Sequence, residues 1–349
     1  MTARSADSEI ADWAESTAEL EQLRHSLRRT TQALVEERLR SARLIEAVRQ
    51  GARDGFAGLE LRPVPAPKAS RRRPNGEVAT VMLSDWQLGK ITPTYSSAVC
   101  AERVATMATK VVELTEIQRA HHPVDECRVW LLGDILEGEM IFPGQAHLID
   151  ASLFSQVVSA VEILERFLRT MLANFSRVSV VGVIGNHGSP GGRQRRDYHP
   201  ETNFDRLAYQ LTSELFARAG EKRIAWAIPQ GGRERSWYAV DAIGAYRCLL
   251  FHGDQIRGHT GFPWYGFARK VLGWRSGAIA EPFDDAACGH WHTPTRMTLS
   301  NLTVRVNGST ESANSYAQEQ MASMCSPTQT LLFVHPEKGR VTAEYTVEL

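Results

Sequence analysis

From residue 77 onward the chain alternates between short apolar runs and longer stretches in which apolar positions recur with helical spacing. The runs cover 78–83, 127–132, 178–184, 245–251 and 284–288, each of a length suited to a buried strand. The stretches 97–119, 153–174 and 202–219 lie between them and predict helices. Past residue 290 the segments become short and β-like (TRMTLS, LTVRVN, TQTLLFVH, RVTAEYTVEL), predicting a sheet that closes the domain. Strands alternating with helices in this way argue an α/β domain over 77–349.

The chain before residue 77 has a different texture. Trp13, Leu20, Leu27, Leu34 and Val48 share one heptad phase, interrupted by Ser41. The second seam position reads Ile10, Thr17, Arg24, Thr31, Arg38 and Ile45, which is too polar for a firm coiled coil. The expectation for 1–52 is an amphipathic helix, at most a weak coiled coil. Residues 8–50 could then pair with a second copy, pack on the main domain or bind a protein partner. Residues 53–76 contain four prolines and the run Arg71, Arg72, Arg73, the composition of a semi-rigid linker.

Composition narrows the class. The formal net charge of the 349 residues is zero, so no global field announces nucleic acid or a membrane. The five cysteines are scattered, odd in number and form no CxxC, a pattern suited to a reducing compartment. No stretch approaches the about 18 consecutive apolar residues of a membrane span, and the acidic N-terminus is unlike a signal peptide. The expectation is a soluble, cytoplasmic protein.

Candidate chemistry gathers where the apolar runs end. VMLSD delivers Asp85, RVWLLGD delivers Asp134, and VSVVGVIGNHG delivers Asn186 and His187. CLLFHGD delivers His252, and AACGHWH delivers His290 and His292. In open α/β sheets ligands converge at the carboxyl ends of strands, so these residues can meet in one place. Aspartate, asparagine and histidine without thiolate suit Mn, Mg, Fe, Zn or Ni. Two such ions, about 3.5–4 Å apart, clamp a phosphate ester and generate a hydroxide at neutral pH.

The series Asp85-Trp-Gln87, Gly133-Asp134, Gly185-Asn186-His187-Gly188, His252 and Gly289-His290-Trp-His292 resembles the motifs of the calcineurin-like metallophosphoesterase superfamily. The resemblance covers roughly 78–335 and is nearest to phage and bacterial SbcD-like DNA repair phosphoesterases. It implies a four-layer sandwich of two mixed β-sheets flanked by helices, and two divalent ions, with Mn favoured. By the same resemblance Asp134 bridges the ions. Asp85 and His292 complete the first site, and Asn186, His252 and His290 the second. His187 donates a proton or hydrogen bond to the leaving oxygen.

Gln87 stands where the family has histidine. It can coordinate through its amide oxygen, hold a water on the ion, or point away. Coordination or a water-mediated contact is the expectation, with a more labile first ion. For substrate, one segment next to the predicted site carries Arg193, Arg195 and Arg196. Another interleaves Phe262, Trp264, Tyr265 and Phe267 with Arg257 and Arg269, as a groove for unstacked nucleotides needs. Trp264, Phe267 and Trp274 can equally form the core face of a helix, with the basic residues on its wet side. Glu137, Glu139 and Gln145 follow Asp134 and can tune the site or line its rim. Three functions stay open: a nuclease or other phosphodiesterase acting on DNA, a phosphatase for phosphoprotein or a small monoester, and a scaffold with a weakened site.

Overall fold

The computed structural model describes residues 61–67, 76–190, 202–229, 237–258, 261–313 and 326–349, with scattered helical positions between 22 and 55. The chain divides into two units, Met1–Gly51 and Ala52–Leu349. The described positions of the first unit are helical. Trp13, Leu20, Leu27 and Leu34, the linker run 71–73, and Arg193, Arg195 and Arg196 all lie outside the described residues.

The second unit is built on two mixed sheets. In the first, β1 (Glu77–Leu83), β2 (Val124–Leu131), β3 (Arg177–Gly182) and β4 (Ile224–Ala227) run parallel. Beyond β1 the antiparallel pair β10 (Thr328–His335) and β11 (Arg340–Glu348) extends it, giving the order β11-β10-β1-β2-β3-β4. The second sheet joins β5 (Tyr238–Ile243), β6 (Tyr246–Phe251), β7 (Asp285–Cys288), β8 (Thr295–Leu299) and β9 (Leu302–Val306). Its order is β5-β6-β7-β9-β8. Every residue of β1 and of β10 is buried, because both are central strands with both faces covered.

Side-chain alternation along β6 shows how the layers stack. Cys248 and Leu250 face the first sheet, in a core with Met82, Trp130, Leu132, Val181, Ala287 and Leu332. Leu249 and Phe251 face the other way, into a second core with Phe267, Val271 and Trp274. Helices α1 (Ser97–Arg119), α2 (Leu153–Asn174) and α3 (Phe204–Arg218) pack against one another beside the first sheet, and α4 (Trp264–Gly273) covers the second. Two sheets face to face between helices make the four-layer sandwich that the resemblance implies. Side-chain oxygens of Ser96, Ser152 and Asn203 cap the first three helices, accepting from Val99, Ser155 and Arg206 amides.

The late β segments do not form one closing sheet. Segments β8 and β9 join the second sheet, while β10 and β11 complete the first. Each is short and β-like in sequence, and the partner available to it in the fold decides which sheet it joins.

Candidate metal centre

The centre lies where β1, β2, β6, β7 and the segment after β3 hand over to loops. Asp85 follows β1 by two residues, Asp134 follows β2 by three, His252 follows β6 directly, and His290 follows β7 by two. The loops are drawn together by backbone hydrogen bonds. The Asp85 amide donates to Gly133 O (3.0 Å), Gln87 to Asp134 O (3.0 Å), and Gly289 to His252 O (2.8 Å).

Approach this close leaves no room for side chains on the glycines between the ligands. A Cβ on Gly185 would sit 2.1 Å from Asp134 Oδ1, and one on Gly289 would sit 2.2 Å from Asp85 Oδ2. The candidate ligand residues themselves carry backbone strain. Asp85, Gln87, Asp134, His290 and His292 have φ of 53°, 44°, 53°, 70° and 53°. Only Ser300 and Ala313 join them as non-glycine residues with positive φ among the described residues. Such conformations cost about 1–3 kcal/mol each and persist where the surroundings over-determine them.

One cluster centres on His252, which is fully buried. Its Nδ1 donates to Leu132 O at 2.7 Å, which fixes Nε2 as the atom facing the site. Around Nε2 stand Asp134 Oδ2 (3.0 Å), Asn186 Oδ1 (3.1 Å) and His290 Nδ1 (3.2 Å). The ligand atoms of Asp134, His252 and His290 all lie within 4.8 Å of one another. Oxygen and nitrogen lone pairs turned toward one point call for positive charge there, and this donor set fits a divalent ion of the Mn–Zn range. The electrostatics agree. Burial works against a charged His252 ring, yet Asp134 raises its pKa to about 10. Burial pushes the Asp134 carboxyl up, and the His252 and His187 rings reverse this and hold it below the usual carboxylate range. Burial and the neighbouring His252 lower His290 to about 3, leaving its ring neutral and able to ligate.

A second cluster holds Asp85, Gln87 and His292. His292 Nε2 lies 3.3 Å from Asp85 Oδ1 and 3.3 Å from Gln87 Nε2. Its Nδ1 faces Glu311 Oε1 at 2.5 Å, the arrangement by which carboxylates orient metal-binding histidines. Asp85 also accepts from the His290 amide through both oxygens (3.0 and 2.9 Å), tying the two clusters together. The Gln87 amide oxygen accepts from Lys90 Nζ at 2.7 Å, and Lys90 also pairs with Glu311.

His187 stands beside the first cluster. Its amide donates to Asp134 Oδ1 (2.7 Å), and its Nδ1 donates to Glu137 O (2.9 Å) with Glu137 Oε2 at 3.3 Å. Burial disfavours its charged form, but Asp134 and Glu137 raise its pKa to about 9. Gln145 Nε2 donates to Glu137 O (2.9 Å) and Oε1 (2.8 Å), so Glu137 and Gln145 are supports of His187. Glu139 accepts from the Leu153 amide at the start of α2, a structural role away from the cluster.

Sequence reasoning overlooked three residues. Asp205, in the first turn of α3, accepts from the amides of Asp134 (2.9 Å), Ile135 (3.0 Å), Leu136 (3.2 Å) and Gly185 (3.0 Å). It thereby sets two ligand loops at once. Nothing in NFDR separates this carboxylate from an ordinary acid near a helix start. Glu311 and Lys90 likewise gain their roles from a pairing remote in sequence, Lys90 with Glu311.

The predicted substrate segment is helix α4. Phe267 and Trp274 are buried in the second core, but Trp264 is 55% and Tyr265 79% exposed. The core-face reading thus holds for two of the aromatics only. Phe262 stacks on Phe267 (5.3 Å, 10° between planes) and lies 4.6 Å from the Trp264 ring. Trp291, between the two ligand histidines, meets Phe262 at 6.1 Å and His290 at 5.3 Å. Arg257 and Arg269 are exposed.

No family model matches the chain, and no curated protein matches it. Among solved structures it is similar to an archaeal phosphodiesterase at 11% identity, over 77% of this chain and 99% of that one, with a TM-score of 0.34. It is similar to vacuolar protein sorting 29 from Cryptosporidium parvum at 12% identity, over 79% and 100%, with a TM-score of 0.35. A predicted phosphoesterase from Streptococcus pneumoniae matches at 11% identity over 54% and 89%, with a TM-score of 0.26. Likenesses this remote carry no activity to this chain. Among the described residues no helix is long and apolar enough to cross a membrane.

Proposed function

We propose that this chain is a calcineurin-like metallophosphoesterase that uses two divalent ions, Mn favoured, to hydrolyse phosphodiesters of nucleic acid. The supporting observation is the convergence on His252 Nε2 of Asp134, Asn186 and His290, each from a different strand-to-loop junction. A core histidine needs one partner, and a ring of lone-pair donors around one point serves a cation. Five strained ligand-loop residues at the same place support the reading.

Asp134, Asn186, His252 and His290 would hold one ion, and Asp85 and His292 the other, with Asp134 between them. Bound there, the ions supply Lewis acidity toward a phosphate and a water of lowered pKa. The protein's own contribution is positional. Asp205 and Gly185 set the Asp134 loop. Glu137 engages His187 Nδ1 and so reserves Nε2 for the leaving oxygen, where it donates the proton that the departing alkoxide needs.

The aromatic row favours nucleic acid over a small monoester. It runs from Trp291 through Phe262 to the exposed Trp264, with Tyr265, Arg257 and Arg269 nearby. Exposed rings offer stacking of about 1–3 kcal/mol per base, and arginines meet the backbone.

The test is hydrolysis at neutral pH with Mn, Mg, Zn or Ni. The substrates are single- and double-stranded DNA and the bis- and mono-p-nitrophenyl phosphates, with Asp134→Ala as control. The expected result is metal-dependent diester cleavage that Asp134→Ala abolishes. Turnover of the monoester alone would replace the nuclease reading with a phosphatase. No turnover and no bound metal would leave a scaffold.

A further inference from the structure

We infer that Lys90 holds the Gln87 carboxamide with its oxygen turned away from the first ion's position, so that Gln87 offers a hydrogen-bond donor there instead of a ligand. The inference rests on the metal reading above and deepens it, by assigning which protein atoms the first ion can use.

An ammonium group has donors only, and an amide has a donor end and an acceptor end. Lys90 Nζ lies 2.7 Å from Gln87 Oε1, so the acceptor end must face the lysine. The opposite orientation would set the amide NH2 against the ammonium. Lys90 is not free to swing aside. It pairs with Glu311, whose side chain is 4% exposed, and whose other oxygen faces His292 Nδ1 at 2.5 Å. Withdrawing Lys90 would take an ionic partner from a buried carboxylate, which is costly.

Gln87 is as tightly placed. It is 3% exposed, its backbone sits at φ 44°, and its amide N–H donates to Asp134 O at 3.0 Å. With Oε1 committed, Nε2 is the end that comes within 3.3 Å of His292 Nε2, beside Asp85 Oδ1. Asp85 and His292, with Asp134, would then hold the first ion, and Gln87 would add no donor of its own. Two consequences follow. The first ion is expected to bind more weakly than the second, and Gln87 presents a hydrogen-bond donor beside His292 Nε2.

The test is Mn titration of the full chain by electron paramagnetic resonance and by counting bound metal. It compares wild type with Gln87→Leu, Lys90→Met, the double variant and Gln87→His. Wild type is expected to bind one ion tightly and one weakly. Gln87→Leu should leave the weak affinity within about twofold, since no ligand is lost. Lys90→Met frees the amide to turn its oxygen inward and should tighten the weak ion about tenfold, the scale of orienting effects around metals. That gain should vanish in the double variant. Gln87→His should give two ions of similar affinity.

Weakening of the first ion by about tenfold in Gln87→Leu would make Gln87 a ligand and overturn the inference. So would a Lys90→Met gain that survives in the double variant, which would mean that charge alone is at work. A wild type that binds no Mn would overturn the metal reading itself, a different failure with a different signature. Should Lys90→Met not fold by thermal melting, Gln87→Leu decides alone.

Discussion

Gly185 and Gly289 show how closely this centre is assembled. Each lies one position before a ligand and against the carboxylate of another, Asp134 and Asp85 respectively. Gly289→Ala would place a methyl group 2.2 Å from Asp85 Oδ2 and 2.7 Å from Ser84 Oγ, so the loop or the carboxylate must move. The expected outcome is a stability loss of about 1–3 kcal/mol together with weaker first-ion binding, read by thermal melting and Mn titration. An unchanged ion affinity would show that Asp85 does not ligate. The glycines were legible in the sequence only as parts of G-D, G-N-H and G-H. Their physical reason, the approach of a carboxylate from a loop more than fifty residues away, appears only in the fold.

At the scale of the element, α4 is the informative case. Its sequence admitted a stacking groove or a core-facing helix, and it is part of each. Phe267 and Val271 share a face in the second core while Trp264 and Tyr265 stand in solvent. Two exposed rings beside a cluster that ends at Trp291 are hard to explain as packing. Replacing Trp264 and Tyr265 by alanine is expected to raise KM for single-stranded DNA about tenfold or more, given about 1–3 kcal/mol per stacked base. Hydrolysis of bis-p-nitrophenyl phosphate should stay near wild type, because neither ring belongs to the metal clusters. Equal losses on both substrates would remove the stacking role. The neighbouring loop with Arg193, Arg195 and Arg196 lies outside the described residues, and its part in substrate binding stays a proposal from sequence.

For the whole molecule, the two face-to-face sheets bury the thiols as thoroughly as the apolar side chains. Cys100, Cys127, Cys248 and Cys288 are free and buried. Burial pushes Cys100 up to about 11 and raises the other three above the usual thiol range. A thiolate is the reactive form. At neutral pH no more than one of the five thiols should react quickly with Ellman's reagent in the native protein, and all five in denaturant. Rapid reaction of two or more would contradict this burial. The alternation of runs and helical stretches was enough to indicate an α/β fold, since strands buried on both faces are predominantly apolar. The ends of those runs also singled out Asp85, Asp134, Asn186, His252, His290 and His292 as candidate ligands, because local chain direction places strand-end residues at one edge of a sheet. Sequence alone could not divide the late hairpins between two sheets, since sheet membership is a matter of neighbours. Nor could it find Asp205, Glu311 or Lys90 at work, or tell which end of the Gln87 amide faces the site. Those depend on Asp205 and Glu311 meeting groups remote in the chain, Glu311 in turn fixing Lys90 beside Gln87, and only the tertiary structure decides that.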